Sequence, residues 1–163
     1  MVTKDQYTKI VSEWLNNYLT IKYSKEYRIE VLIPDTNISR INNDSIKRVE
    51  NYSLLDFCPD VLGILVSKRN NDVKLVLLNR SISAISVKEI GEMNIYSYLI
   101  NPELAFIASL RGLPNEVNSL LLNEDTCHSL LDYNGKNIFI LKIDENKKVD
   151  NNVTFPREFK NSF

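Results

Sequence analysis

The chain has 163 residues with 20 basic and 21 acidic side chains, so its formal net charge of −1 supplies no overall cationic field to draw it to nucleic acid. Hydrophobic residues make up 44% and charged ones 25%, the balance of a globular domain with a real core rather than of a disordered chain. No apolar run approaches the length of a bilayer span, and the opening MVTKDQYTKIVSEW lacks a basic-then-apolar leader pattern. With only Cys58 and Cys127, the chain reads as cytoplasmic with both thiols reduced, and the Asn-x-Ser/Thr triplets at Asn37 and Asn152 read as chance in an Asn-rich sequence.

Thr3 with Gln6 forms the pattern of a capping box, and Tyr7, Ile10, Val11, Trp14, Leu15 and Tyr18 follow at helical spacing. Residues 27–33 alternate as a half-buried strand, which Pro34-Asp35 ends. Residues 35–52 are polar and aperiodic, a loop or a short helix near 45–52. VLGILV (61–66) and VKLVLL (73–78) are two short apolar runs around a polar turn at Asn70-Asn71-Asp72, which predicts a hairpin. Gly63, inside the first run, marks a close backbone approach or a bulge.

Ser86 with Glu89 is a second capping box. The apolar positions of residues 87–100 reach round most of a helix, so it is expected to pack on more than one side, and Asn101-Pro102 stops it. LAFIASL (104–110) follows as a strand, giving a strand–helix–strand unit with the spacing of a parallel crossover. Beyond the break at Gly112-Leu113-Pro114 come short helices at 115–122 and about 125–132, a turn at Asn134-Gly135 and a last strand at 137–143. Residues 1–143 therefore read as one α/β domain, with a central mixed sheet flanked by helices, and 144–163 as a C-terminal surface tail in which Phe155, Phe159 and Phe163 have the means to dock.

The order helix, strand, hairpin, helix, strand resembles the restriction-endonuclease-like fold. Residues 59–110, "PDVLGILV…KLVLLNRS…SVKEIGEMNIYSYLINPELAFIAS", resemble the PD-(D/E)xK nuclease family over about a third of the chain. That resemblance implies an acid at the start of one hairpin strand and an acid-x-lysine at the end of the next. Two such acids hold a magnesium ion by oxygen ligands, and the lysine orients the attacking water. Placed on this sequence, Asp60 takes the first acid's position, Asn79 the second's and Ser81 the lysine's. Asparagine offers one neutral carbonyl oxygen and serine no cation, so the resemblance implies a nuclease-like domain with a decayed metal site.

The expected function is a non-catalytic subunit in a defence or DNA-processing system. Its expected partners are double-stranded DNA, an active nuclease subunit or a second copy of itself. The alternatives are an active magnesium-dependent nuclease with a rearranged site built from Asp60, Glu92 and Lys88, or a protein-interaction module that kept only the fold.

Plainer readings stand beside each of these. Asp60 after Pro59 fits a turn or local cap, Asn79 and Ser81 fit a strand end, and Glu89 is used by the capping box. Strand alternation sends Arg80 to the face opposite Asn79 and Ser81, and helical spacing turns Glu13 towards solvent. Asp56 is a further acid near Asp60. Lys68, Arg69, Lys74, Arg80, Lys88 and Arg111 make either a DNA-facing patch or ordinary solvated surface. Cys127-His128 has no second imidazole and no C-x-x-C to complete a zinc site, and reads as a structural or surface pair.

Overall fold

The computed structural model describes residues 1–163. Helix α1 (Lys4–Tyr23) begins as the capping box predicts: Gln6 N–H donates to Thr3 Oγ1 at 3.2 Å and Thr3 N–H donates to Gln6 Oε1 at 2.9 Å. Its inner stripe, Tyr7, Val11, Trp14, Leu15 and Leu19, is buried. Strand β1 (Tyr27–Leu32) follows after a tight turn and pairs antiparallel with β2 (Val61–Ser67). Between them the chain makes three short 3-10 turns at Ile38–Arg40, Ile46–Arg48 and Tyr52–Leu54, where a loop or one short helix is expected. Ile38 and Ile46 anchor that segment by inserting fully into the core.

β2 and β3 (Val73–Ser81) form the predicted hairpin. Asn71 takes the left-handed conformation at φ 62°, which asparagine tolerates better than other side-chain-bearing residues. Helix α2 (Val87–Ile100), entered by the Ser86–Glu89 capping box, carries the chain to β4 (Leu104–Ser109), which pairs parallel with β3. Helices α3 (Asn115–Leu122) and α4 (Glu124–Leu131) lead to β5 (Asp132–Tyr133) and β6 (Lys136–Lys142), the latter parallel to β4. The product is a mixed α/β fold, a six-stranded sheet in the order β1-β2-β3-β4-β6-β5 with helices on both faces. No helix is long and apolar enough to cross a membrane.

β2 and β4 are apolar up to their terminal serines rather than alternating because both their faces are covered. On one face α1 packs over Val61, Leu65, Val76, Leu78, Phe106 and Phe139. On the other, α2, α3, α4 and the 3-10 segment cover Leu62, Ile64, Leu75, Leu77, Ile107 and Ile140. Gly63 is a close approach: a Cβ there would lie 2.9 Å from Val76 Cβ and 3.0 Å from a methyl of Leu19.

Residues 144–163 depart from the surface tail expected of them. Phe155 is buried and exchanges backbone hydrogen bonds with Ile140 of β6, at 2.9 and 3.1 Å, while Val149 bridges Ile143. Phe159 and Phe163 pack on the α1 face, Phe163 within 5.6 Å of the Phe106 ring centre and Phe159 within 4.9 Å of that of Phe139. Low apolar content suggests a tail, but Phe155, fully buried and worth about 1.5–3 kcal/mol, holds it down together with the partly buried Phe159 and Phe163.

Candidate functional site

Asp60 stands where the chain enters β2, and Asn79 lies opposite it at the end of β3, so the hairpin brings the two together as expected. Their contact uses the backbone: Asp60 N–H donates to Asn79 Oδ1 at 3.3 Å. The Asp60 carboxylate itself turns towards Arg80. The Arg80 N–H donates to Asp60 Oδ2 at 2.8 Å, and the guanidinium lies 3.5 Å from Oδ1. Arg80 Nε in turn donates to the hydroxyl of Thr8 on α1 at 2.9 Å.

Strand alternation does send Arg80 to the α1 face, away from Asn79 and Ser81, and on that face it meets Asp60. Asp60 precedes the strand, so the pleat does not fix the direction of its side chain. The arginine side chain is 17% exposed and the aspartate 29%, so the pair is largely removed from water. A charge-assisted, doubly anchored pair of this kind is stronger than a free surface ion pair.

Ser81 does not join Asp60. Its Oγ sits 3.1 Å from Ser83 Oγ and accepts the Ser83 N–H at 3.3 Å. Next to it, the fully buried Ser109 donates to the Ser83 carbonyl at 2.7 Å and accepts the N–H groups of Arg111 at 3.0 Å and Gly112 at 2.8 Å. These serines fix the turns that leave the carboxyl ends of the parallel strands. Lys88 and Glu92 lie exposed on α2 and face each other at 3.9 Å. Asp56 accepts a hydrogen bond from the side chain of Asn37. Glu13 points outward as expected, but it holds Lys147 of the returning chain at 2.6 Å, which keeps its carboxyl below the usual range.

The space beside Asp60 is a groove of about 430 Å³ between the start of α1 and the entry to β2, lined by Asp5, Thr8, Lys9, Cys58, Asp60 and Arg80 with Ile33, Pro34 and Pro59. Asp5, Thr8, Lys9 and Cys58 are not among the site residues expected from the sequence, and nothing local links Thr8 to Arg80. Burial and the nearby carboxylates of Asp60 and Asp35 push the Cys58 thiol up, which disfavours the reactive thiolate.

Magnesium wants near-octahedral oxygen ligation with one or two carboxylates. Of the two carboxylates that line the groove, Asp5 and Asp60, that of Asp60 is already paired with a guanidinium, while Asn79 Oδ1 is occupied by a backbone N–H. No three His, Cys, Asp or Glu side chains gather anywhere in the chain as a cluster able to hold a metal. The donor set around Asp60 does not fit a magnesium ion.

A second cavity, of about 280 Å³, lies between α3, α4 and the Pro156–Glu158 stretch, with Cys127 and His128 in its wall. Burial pushes the Cys127 thiol up to about 11, and His128 Nδ1 instead faces Asp132, at 3.1 Å. The two residues thus act separately, one as core and one on the surface.

The six basic residues read as a patch are split by the fold. Lys68, Arg69 and Lys74 stand at the hairpin-turn end of the sheet, and Arg80, Lys88 and Arg111 at the other end. Lys74 pairs with Glu103 at 3.1 Å and Lys68 caps the Ser24 carbonyl at 2.7 Å. Compared with family models, with curated proteins and with solved structures, the chain matches none of them.

Proposed function

We propose that this chain is a nuclease-like domain of the PD-(D/E)xK kind in which an internal cation has taken over the metal's place, and that it works by binding a protein partner rather than by cleaving nucleic acid. The observation that carries the reading is the Asp60–Arg80 pair: the acid of the Pro-Asp motif is satisfied by the backbone and guanidinium of the residue inside Asn-Arg-Ser. A divalent ion there would have to displace a guanidinium that Thr8 also anchors.

Protein is favoured over DNA as the partner by two features. The basic residues are split between opposite ends of the sheet and several are already bonded. In addition, α2 exposes Ile95, Tyr98 and Leu99 beside an exposed Leu54, and Leu54 and Leu99 border one apolar depression with Phe57 and Tyr96. Contiguous exposed apolar groups of this kind mark interaction surfaces.

The test is incubation with double-stranded DNA and Mg²⁺ or Mn²⁺, alongside a salt series of DNA binding. The expected result is no cleavage by the wild type and no salt-dependent retention of DNA. Cleavage that Asp60→Ala abolishes would sink the reading, and salt-sensitive binding without cleavage would replace the protein partner by DNA. Arg80→Ala is expected to lower stability by about 2 kcal/mol without creating activity, because it strands a half-buried carboxylate.

A further inference from the structure

The two edges of the sheet are finished differently. Beyond β6 the edge is closed by β5, by the Phe155 bridge to Ile140 and by the Val149 bridge to Ile143. Beyond β1 no strand pairs, although the Asn43 side chain donates to the Glu30 carboxylate at 3.3 and 3.4 Å. The hydrogen-bond phase of β1 identifies which groups are left over. Lys68 N–H donates to the Glu26 carbonyl, and the register runs Arg28↔Val66, Glu30↔Ile64, Leu32↔Leu62. On the other side of β2, Ser67 N–H donates to Asp72, so odd residues of β2 face β3 and even ones face β1. In β1 the even residues are therefore satisfied by β2. The N–H and C=O groups of Tyr27, Ile29 and Val31 point out of the sheet, and no backbone or side-chain partner reaches them.

Isolated edges are ordinarily blunted by charged side chains, proline or a bulge. β1 has no proline and no bulge in its register with β2, and its charges are a single pair of opposite sign. It carries Arg28 and Glu30, both exposed and both on the face opposite Ile29. Opposite charges two residues apart are self-complementary under one symmetry operation: an antiparallel two-fold through Ile29 sets Arg28 of each copy directly opposite Glu30 of the other. The same two-fold makes Ile29 face Ile29 and Tyr27 face Val31, and these are the residues whose backbone groups are free. It leaves Arg28 and Glu30 in the non-hydrogen-bonded positions, where opposed side chains come closest, at about 4.5 Å between Cα atoms. Backbone phase and charge pattern select one and the same register, which neither was obliged to do.

We propose that the chain forms a two-fold dimer by pairing β1 with β1 of a second copy about Ile29, so that one sheet runs through both copies. The closed point-group symmetry stops growth at two, because each copy has only this one bare edge. The inference stands apart from the nuclease-like reading and survives or fails without it.

The test is sedimentation velocity over a concentration series on the wild type, Arg28→Glu, Glu30→Arg and the double exchange. The wild type is expected to show a monomer–dimer equilibrium. Each single exchange places like charges opposite one another twice per dimer and should weaken association roughly tenfold or more. The double exchange should restore it, and an equimolar mixture of the two single variants should associate with each other. Both positions are exposed, and far-UV circular dichroism confirms that the variants fold. A wild type that stays monomeric at every concentration overturns the proposal. So do single variants that dimerise as well as the wild type, or a double exchange that fails to recover.

Discussion

The two faces of the sheet handle the end of β3 in opposite ways. On the α1 face Arg80 meets Asp60 and Thr8, and charge is settled by a pair that spans three elements. On the other face Ser81, Ser83 and Ser109 hold turns together with neutral hydroxyls. The cores beneath them differ as well. The α1 face is aromatic, with Trp14 and Tyr18 stacked and both set edge-on to Phe106, while the opposite face is mainly aliphatic. The difference shows what a single-residue period can do. Among neighbouring positions in one strand, Asn79 and Arg80 both reach Asp60, one through its N–H and the other through its carboxylate, while Ser81 belongs to a separate network.

The comparison breaks most severely at Phe106. Phe106→Ala is expected to cost about 4 kcal/mol in urea unfolding. It should also loosen 144–163, seen as faster proteolysis there, because Phe163 and Phe139 both lean on that ring. If stability falls but the C-terminal stretch stays protected, the Ile140–Phe155 bridge rather than the aromatic cluster holds it.

On the opposite face Ser109→Ala should cost about 2 kcal/mol, since it orphans buried N–H and C=O groups of the 83 and 112 turns. Ser109→Thr, which keeps the hydroxyl, should recover part of that loss. A cost near zero would mean that water replaces the hydroxyl and that this face is wetter than its burial indicates.

The smallest effect sharpens the contrast through pH. The Cys127 thiol, on the aliphatic face, is raised from 9.0 to about 11 by burial. Below 9 both folded and unfolded chains keep that proton and its contribution is intact. Between 9 and about 11 the unfolded thiol ionises first, so stability falls as pH rises through that window. The difference in urea midpoint between wild type and Cys127→Ala should therefore shrink from about pH 8 to about pH 10. An unchanged difference would show that the thiol titrates normally.

Much of the fold was legible locally. Both capping boxes formed where Thr3-x-x-Gln6 and Ser86-x-x-Glu89 placed them, the hairpin turned at Asn70-Asn71-Asp72, and β3, α2 and β4 made a parallel unit. The pairing of Asp60 with Asn79 followed from the hairpin register. The role of Ser81 did not, because a serine at a strand end carries no mark of whether it will meet a metal position or its own turn. Where 144–163 docks was not legible for a related reason. Phe155, Phe159 and Phe163 are too sparse to produce a periodic signal, and their partners lie on strands far away in sequence.

By itself the sequence determined the elements, their order and the alternation that parts Arg80 from Asn79 and Ser81, because caps, turns and apolar period act over a few residues. Only the tertiary structure decided that the Asp60 carboxylate closes on Arg80, that Thr8 anchors the guanidinium from α1, and that β1 is left as the bare edge. Those outcomes depend on where separate elements come to rest, and on side chains outside a strand or at its rim, whose direction no local period dictates.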